Sequence, residues 1–416
     1  MLCGFASPPM RTSTELPIDW IDPATGHRII RLSSEAGSQT LYFHDNAYSP
    51  EGSKYVFSSP AGIMLLDLAT LGSQPPKPEL VVPLAGGAYM SRRSHEVYYT
   101  RGGGRAGRGG EVFAYNFDTK ASRKVAHATR TLINVDESST VATIAAEDSS
   151  GQTPRPAFRE SRPQLERMFP GRTLESLTPE QQYAVKKEEG LAGRAINPPG
   201  MAFVFTDLRT GVANTRGYQY GSLNHLQFSP TDPNLLLYCH EGTWHEVDRI
   251  WTIRTDGTEK TLRHARTMDM EIAGHEFWSF NGKRIWFDLQ TPRSQVFWIA
   301  GVDVASGRGT RYRIDREAWS VHYNASRDDT LFMGDGGDET QVAFSKNGMW
   351  INLFRVQPDG TLQREKLVDM SGHNYVTGRG GVEPNGSITP DNRWVIFTGN
   401  FHGERHVYAA DIARAR

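Results

Sequence analysis

One short phrase recurs along the chain: a polar turn rich in Asp, Asn, Gly or Pro, followed by a run of apolar residues suited to a strand. The clearest copies are YSPEGSKYVF from Tyr48, FSPTDPNLLLY from Phe228, FNGKRIWF from Phe280, ASRDDTLFMG from Ala325 and ITPDNRWVIFTG from Ile388. Weaker copies, SRRSHEVYYT and VDESSTVATIAA, begin at Ser91 and Val135. Each copy is typical of a hairpin, because turn residues separate two runs that can pair as strands.

The spacing of these hairpins limits the fold. Most neighbouring copies begin about 40 to 65 residues apart, which suits one four-stranded blade of a β-propeller. The seven copies therefore predict an all-β chain folded as a seven-bladed β-propeller. Because the repeats continue along the sequence, we expect residues 1–416 to form a single domain.

The interval between the third and fourth copies is longer than the others and has a different composition. Thr178 is a candidate N-cap, Pro179 suits the first helical turn, and Gln181 completes a capping box. Gly190 is a candidate end for this helix. We therefore expect a helical insertion at residues 152–200, between the third and fourth blades and over one face of the propeller. Its charges favour a solvated decoration, and a lid over a site is the alternative.

Charge and composition argue against several classes of protein. The formal net charge of −1 gives no broad basic surface for nucleic acid or an anionic membrane. The arginine–glycine stretch Thr100–Phe113 lies inside the hairpin of the second blade and predicts a loop. The two cysteines, Cys3 and Cys239, provide neither a disulfide framework nor a CxxC metal pair. Nucleic acid and membrane are therefore not expected partners.

Histidines concentrate in the fourth to seventh blades. His225, His240, His275 and His322 occupy comparable early or edge positions of their blades. Equivalent strand ends of successive blades meet at one mouth of the central channel, so these side chains are predicted to converge. A lone histidine at such a position is more typical of a structural, hydrogen-bonded residue, whereas four together favour a site.

Two oxygen-bearing side chains occur near the last hairpin. Glu383 and Asn385 are two residues apart, so they share one face of an extended strand. Oxygen ligands beside imidazoles suit a divalent cation such as manganese, zinc or another first-row ion. The acidic stretch MGDGGDE, Met333–Glu339, lacks the ligand spacing of an EF-hand and predicts a tight turn.

Several motifs together resemble the oligogalacturonate lyases, seven-bladed propeller enzymes that use a metal ion to cleave uronic-acid oligosaccharides. The matching stretches are LYFHDNAYSPEG, NHLQFSPTDPNLLLYCHEGTWHEVDRIW, GHEFWSFNGKRIWFD, VHYNASRDDTLFMGDGG and EPNGSITPDNRWVIFTGNFHG. The likeness spans most of the chain, and the fourth-blade stretch is the most specific. It implies a β-elimination in which a base removes the proton at C5 of a uronate and the C4–O bond breaks.

The resemblance also implies roles for individual residues. His240 would be the catalytic base, and Arg216 would help to stabilise charge, with Arg249 as a competing candidate. His225, His245 and Arg249 would contact or support the substrate.

The implied metal site departs from the family pattern. His275 matches a metal ligand of the family, while Glu383 and Asn385 fall where well-known members carry a His-Pro-His pair. Gly380 stands where those members have a glutamine ligand. The implied ligands are therefore His275, Glu383 and Asn385, completed by His322 or water. Manganese is the expected ion, with calcium, magnesium and zinc as alternatives.

The chain is thus expected to be a metal-dependent lyase that cleaves oligogalacturonate-like uronic-acid oligosaccharides to a 4,5-unsaturated product. The altered metal motif leaves two alternatives open: a propeller lyase for another uronate-containing oligosaccharide, and a non-catalytic sugar-binding propeller. The resemblance favours the cytoplasm, and the periplasm is the alternative if an export signal has been trimmed.

Overall fold

The computed structural model describes residues 17–415 apart from 102–109, 129–130, 149–150, 152, 154–163 and 377–379. Its strands form seven antiparallel sheets, one for each predicted hairpin, and the chain folds as a seven-bladed β-propeller. The predicted fold class is therefore confirmed. The tip of the second-blade loop and the first part of the predicted insertion lie outside the described residues.

The strands are numbered in chain order. The first blade contains β3 (Lys54–Ser59), β4 (Gly62–Asp67) and β5 (Glu79–Pro83). The second contains β6 (Gly86–Met90), β7 (Glu96–Arg101), β8 (Gly110–Asn116) and β9 (Ala121–Ala128). The third contains β10 (Ser139–Ala145), β11 (Gly200–Asp207) and β12 (Ala213–Tyr220). The fourth contains β13 (Ser222–Phe228), β14 (Leu235–Glu241), β15 (Ile250–Arg254) and β16 (Thr261–Leu262).

The remaining blades follow the same plan. The fifth contains β17 (Ile272–Trp278), β18 (Arg284–Gln290), β19 (Phe297–Asp303) and β20 (Gly309–Ile314). The sixth contains β21 (Tyr323–Ala325), β22 (Leu331–Gly334), β23 (Trp350–Val356) and β24 (Leu362–Asp369), and a short 3₁₀ helix, Arg316–Ala318, precedes it. The seventh joins both ends of the described chain: β25 (Ser387–Ile388), β26 (Trp394–Gly399), β27 (His406–Arg414), β2 (His27–Arg31) and β1 (Asp19–Ile21).

Each recurring motif forms the turn between the first two strands of a blade. In the first and third blades the innermost strand is reduced to an isolated bridge, Tyr48 to Tyr55 and Ile133 to Thr140, so β3 and β10 are the second strands of their blades. In the sixth blade, the Ser326 hydroxyl donates to Asp328 Oδ1 at 2.6 Å, and the Leu331 backbone N–H donates to Ser326 Oγ at 3.0 Å. These bonds satisfy turn groups that the strands leave unpaired. The same arrangement recurs at Ser279 and Asn281 in the fifth blade and at Thr389 and Asp391 in the seventh.

Antiparallel pairing gives the propeller two different faces. The lower face carries the turns between first and second strands, including residues 50–53, 327–330 and 391–393. The upper face carries the connections between second and third strands and those between blades, including residues 242–249 and 335–349. Upper connections are longer and less regular than the lower turns, so more polar side chains can collect there.

The helical segment lies within the third blade, so its predicted position between the third and fourth blades was wrong. It contains α1 (Gln164–Met168), a 3₁₀ turn (Leu174–Ser176) and α2 (Pro179–Ile196). Strands β10 and β11 flank it and pair with each other, with Ala142 opposite Val204. The insertion therefore joins the second and third strands of one blade on the upper face, a pairing that the local pattern does not reveal.

Helix α2 begins as predicted but ends later. The Thr178 hydroxyl accepts from the Gln181 backbone N–H, and the Gln181 side chain accepts from the Thr178 backbone N–H. The helix continues past Gly190 because Leu191 is buried against Trp244, and this packing outweighs the cost of one helical glycine. Within the described residues, no helix is both long enough and apolar enough to cross a membrane.

Candidate active site

Histidines from four blades meet around the upper end of the central channel. The ring centroids of His225 and His275 are 5.7 Å apart, and those of His275 and His322 are 4.5 Å apart. His44 of the first blade lies 5.6 Å from His225. The structure therefore brings His225, His275 and His322 together, as their strand positions predicted, and adds His44, which the sequence analysis missed.

Two of these histidines have a left-handed backbone conformation, which changes the direction of their side chains. His225 has φ +50° and His275 has φ +44°, in the left-handed region that such residues rarely adopt. Each lies at a register shift, in β13 between Asn224 and Gln227 and in β17 between Gly274 and Phe277. A bulge of this kind re-aims a side chain within a strand, and strained backbone is often retained at functional sites.

A buried aspartate holds His322. Asp335 Oδ2 lies 2.8 Å from His322 Nδ1, and Asp335 Oδ1 accepts from the His322 backbone N–H at 2.8 Å. Burial would lower the pKa of His322, but Asp335 and then Glu383 raise it above its ordinary value. Because Nδ1 is bound, Nε2 is the nitrogen left to act as a ligand, and Glu383 Oε2 lies 3.7 Å from it. Asp335 belongs to MGDGGDE, where the sequence indicated only a turn.

The upper cluster also contains buried nitrogens that lack a partner among the described residues. His275 Nδ1 and His322 Nε2 are both buried without a hydrogen bond. Such atoms are costly unless paired, and a divalent cation that also binds the Glu383 carboxylate would satisfy both. The donor types of His275, His322 and Glu383 therefore suit a first-row metal ion. Their ligand atoms do not all lie within 4.8 Å of one another in this structure, so binding of one ion by all three requires side-chain movement.

The contacts of Asn385 differ from those expected of a ligand. Its Oδ1 accepts from the Phe43 backbone N–H at 3.2 Å, and its Nδ2 donates to the Glu383 carbonyl at 3.0 Å. The Asn385 backbone N–H donates to Asp335 Oδ2 at 3.1 Å. These bonds do not support the predicted ligand role of the side chain. Asn385 instead fixes the backbone beside Glu383.

A second cluster, beneath the histidines, is unsuited to a cation. Among the described residues, one group of three ligand atoms lies within 4.8 Å of one another: those of His225, Cys239 and Glu276. Arg249 already occupies this group, with Nε 3.0 Å from Glu276 Oε2 and Nη2 3.2 Å from His225 Nδ1. Burial would raise the pKa of Glu276, but Arg249 and His225 bring it down to about 2.

The buried ion pair changes the interpretation of Arg249. Its guanidinium is almost inaccessible and already pairs with Glu276. Direct substrate contact by Arg249 is therefore not supported, and its position suggests that it holds His225. Glu276 was also missed by the sequence analysis, although it follows His275 directly in GHEFW.

Hydrogen bonds fix the orientation of the His240 ring. Gln219 Oε1 accepts from the Tyr238 hydroxyl at 3.1 Å and lies 2.9 Å from His240 Nε2, while Gln219 Nε2 donates to the Gly217 carbonyl at 3.3 Å. An oxygen facing Nε2 assigns the proton to Nε2 and leaves the Nδ1 lone pair free. Burial, and then Lys260, lower the pKa of His240 to about 4, so the imidazole is neutral near neutral pH.

The close packing of the chain against His240 Nδ1 requires a glycine at position 221. A Cβ on Gly221 would lie 2.4 Å from Nδ1, and Gly221 has φ +146°. Cys239 and His240 are adjacent in β14, so their side chains leave opposite faces of the sheet. His240 therefore lies at the upper end of the fourth blade, on the sheet face opposite Cys239. The prediction that His240 converges with His225, His275 and His322 was therefore wrong, because its side chain leaves the other face of the sheet. Its backbone N–H donates to the Arg249 carbonyl at 3.0 Å, and the Arg249 side chain in turn contacts His225.

Arg216 lies away from the clustered histidines. It is exposed on β12, the outermost strand of the third blade, and Nη1 donates to the Thr215 carbonyl at 2.9 Å. Its Cβ lies 3.3 Å from the position that a Cβ on Gly257 would take, in a lower-face turn. This location does not support the predicted role in stabilising charge, because the histidines occupy the upper face.

Helix α2 covers part of the upper face and buries His245. Glu188 of α2 forms an ion pair with Arg293 at 3.1 Å, and Arg293 Nη1 lies 3.3 Å from His245 Nδ1. Burial, then Arg293, Arg167 and Arg266, lower the pKa of His245 to about 3. His245 therefore packs where the helix docks, and its predicted contact with substrate is not supported.

An open cavity of about 430 Å³ adjoins the histidines. Tyr42, His44 and His225 line it, and the Tyr42 hydroxyl lies 3.4 Å from His225 Nε2. A cavity of this size, with hydroxyl and imidazole groups in its wall, suits a small polar ligand.

Comparison with known proteins identifies the family of the chain. The family model described as oligogalacturonate lyase matches residues 194–415, just over half of the chain. Over 222 residues, the chain is 29% identical to an oligogalacturonide lyase of Pectobacterium atrosepticum and 28% identical to an oligogalacturonate lyase of Dickeya dadantii. Each alignment covers 51% of this chain and 56% of the relative, so the match spans about half the length of these curated relatives.

Two solved structures share the fold over most of the chain. One is an oligogalacturonate lyase in complex with manganese, with a TM-score of 0.72 and 19% identity. The other is an oligogalacturonate lyase from Vibrio parahaemolyticus, with a TM-score of 0.72 and 18% identity. Both alignments cover 95% of this chain and 96% of the solved chain. The sequence match, which includes every predicted site residue, shows that the chain belongs to the oligogalacturonate lyase family.

Proposed function

We propose that the protein is a metal-dependent lyase that cleaves oligogalacturonate-like oligosaccharides by β-elimination and leaves a 4,5-unsaturated uronate. The observation that carries the proposal is the His240 ring, which is neutral, is held at Nε2 by Gln219, and has no hydrogen bond to a described residue at Nδ1, the atom that packs against Gly221. It lies on the same face of the propeller as the His275, His322 and Glu383 donors, within the part of the chain that matches the family.

His240 would act as the base that removes the C5 proton. The low pKa keeps its imidazole in the neutral form needed to accept a proton. After Nδ1 accepts that proton, Nε2–H still donates to Gln219 Oε1, which stabilises the imidazolium through a bond already in place. The same low pKa favours release of the proton once the C4–O bond has broken.

His275, His322 and Glu383 would hold the metal ion. Bound there, the ion would offset the charge that develops beside the substrate carboxylate when the neighbouring carbon is deprotonated. Asp335 keeps His322 Nδ1 occupied, so the ring presents Nε2 to the ion. We propose manganese, which is present in one of the similar solved structures, with calcium, magnesium and zinc as alternatives.

The second candidate is a lyase for a different uronate-containing oligosaccharide. It is favoured by the contacts of Asn385, which bind backbone groups at a position where well-known members of the family carry a metal-binding histidine. A change in the ligand set changes the net charge of the metal site and the position of the ion, and therefore the uronate that fits beside it.

The test is the ultraviolet absorbance of the unsaturated uronate during incubation with digalacturonate and with a panel of other uronate oligosaccharides. An increase on digalacturonate that EDTA abolishes and added manganese restores would support the first proposal. An increase on another uronate alone would support the second. If absorbance does not increase with any oligosaccharide of the panel although bound metal is verified, both proposals are overturned and a sugar-binding propeller is favoured.

A further inference from the structure

A second cavity, of about 330 Å³, opens at the lower mouth of the central channel. Its wall is built from the inner strands and lower turns of several blades and includes Arg92, Phe280 and Arg327. The proposed base and metal ligands do not line it. His44 and Asp45 line both this lower cavity and the upper one, so the two cavities are adjacent.

The lower cavity has two cationic side chains without a carboxylate partner. Neither Arg92 nor Arg327 forms an ion pair among the residues that the structure describes. The Nε of Arg327 is buried without a hydrogen-bond acceptor, and its Nη2 reaches only the Pro50 carbonyl, at 3.4 Å. Asp45 is the one acidic residue in the wall, and it lies 3.3 Å from His44 Nδ1. The cavity therefore has an excess of positive charge.

Aromatic rings lie beside these cations. Phe280 is 44% exposed, and the Arg327 guanidinium lies 4.5 Å from the centroid of its ring. Trp278 also lines the cavity, and its indole N–H already donates to the Gln227 carbonyl at 3.2 Å. Trp278 therefore contributes an apolar ring rather than a free donor.

We propose that the lower cavity binds a second small ligand that joins a carboxylate to a ring with one apolar face, as a uronate sugar does. The carboxylate would pair with Arg327, which offers a forked set of donors and has no other anion. The ring would lie against Phe280 and Trp278, where apolar surface is already exposed. A neutral sugar would leave both arginines unpaired and would therefore bind less well. The site does not depend on the proposed lyase activity.

The test is isothermal titration of the full chain with D-galacturonate, and with D-galactose as a probe that lacks the carboxylate. We expect galacturonate to bind with a dissociation constant on the order of 1 mM, as is typical of a small charged ligand. Arg327→Met should weaken binding at least about tenfold, because the side chain keeps a flexible apolar stem but loses the charged guanidinium group. Arg93→Met is the matched control, since Arg93 is exposed in the same region as Arg92 but does not line the cavity.

A second variant and a crystal soak distinguish binding in the lower cavity from binding in the upper cavity. Phe280→Ala should also weaken binding, and crystals soaked with galacturonate should show a ring against Phe280. Equal binding of galactose, unchanged binding by a folded Arg327→Met protein, or density only beside the histidines would overturn the proposal. These measurements do not require turnover, so failure of the lyase assay would leave them unaffected.

Discussion

The two faces of the propeller are built from the same strands, but the connections on the lower face are regular and those on the upper face are not. On the lower face, one turn recurs from blade to blade, with a Ser or Thr hydroxyl bonded to an Asp or Asn two residues later. On the upper face, each connection is different, and the polar groups bond across blades, as His322 does with Asn385 through Asp335. The lower face therefore carries the repeated turns of the scaffold, whereas the irregular upper face carries the clustered histidines.

Left-handed backbone occurs on both faces. In the lower turns it is found at Asp329 and Asn392, types that tolerate this region because their short side chains bond locally, and also at Lys120 and Glu259. On the upper face it is found at His225 and His275, which belong to the histidine cluster. Strained backbone therefore does not distinguish the faces by itself, but on the upper face it coincides with the clustered imidazoles, as is common at functional sites.

The largest effect on lyase turnover is expected when a histidine of the upper face is replaced, compared with a histidine of the lower face. His240→Ala should lower lyase turnover on the order of 10² to 10⁴-fold, because the proposed base is lost while the fold and the metal donors remain. His95→Ala is the matched control, since His95 lies in a lower turn and pairs with Asp118 at 2.6 Å. Turnover is measured by absorbance of the product, and bound metal by elemental analysis. Normal turnover by a folded His240→Ala protein would remove His240 as the base.

A pair of glycine substitutions tests whether lyase turnover depends on the packing of Gly221 against His240 rather than on backbone strain at a glycine. Gly221 and Gly211 both have positive φ, but a Cβ would lie 2.4 Å from His240 Nδ1 at Gly221 and would meet nothing within 4 Å at Gly211. Gly221→Ala should therefore displace the ring and lower turnover about 100-fold, as small misplacements of catalytic groups do. Gly211→Ala should affect stability alone. Equal turnover by the two folded variants would contradict the role assigned to this space.

The contrast between the faces also explains what the sequence could predict. The lower turns are local, so the phrase around Asp328 or Asp391 was sufficient to count seven blades. The upper site forms when the ring closes, which brings His44 beside His225 across more than one hundred residues. No local pattern marks such a contact.

Other errors have the same physical origin. Asp335 and Glu276 were missed because their role depends on partners in other parts of the chain, His322 and Arg249. The end of α2 was misplaced because packing against Trp244, rather than helix propensity, decides it. An aspartate directly after an apolar run that predicts a strand, as in LFMGD, is the sequence signal that could have identified Asp335.

A smaller effect is expected where one upper-face residue acts through another. Asp335→Asn should weaken manganese binding about 10 to 100-fold, because an amide cannot hold His322 as the carboxylate does. Asp338→Asn, in the same connection, is the control, since Asp338 accepts from the Thr340 backbone N–H at 2.9 Å and has no contact with His322 among those described. Affinity is measured by titration with manganese. Equal affinity in the two variants would show that Asp335 serves only the fold.

The smallest effect is expected on the lower face. The Asp391 carboxylate accepts from the Thr389 hydroxyl at 2.6 Å and from the Arg393 backbone N–H at 3.1 Å. Asp391→Ala removes both bonds and should lower the free energy of unfolding by about 1 kcal/mol, seen as a lower urea midpoint. Asp391→Asn keeps the Oδ1 acceptor and should retain most of that stability. Lyase turnover should not change in either variant, because the turn lies on the face opposite the histidines. A folded Asp391→Ala protein with reduced turnover would show that the two faces are coupled, and the separation of scaffold from chemistry would then fail.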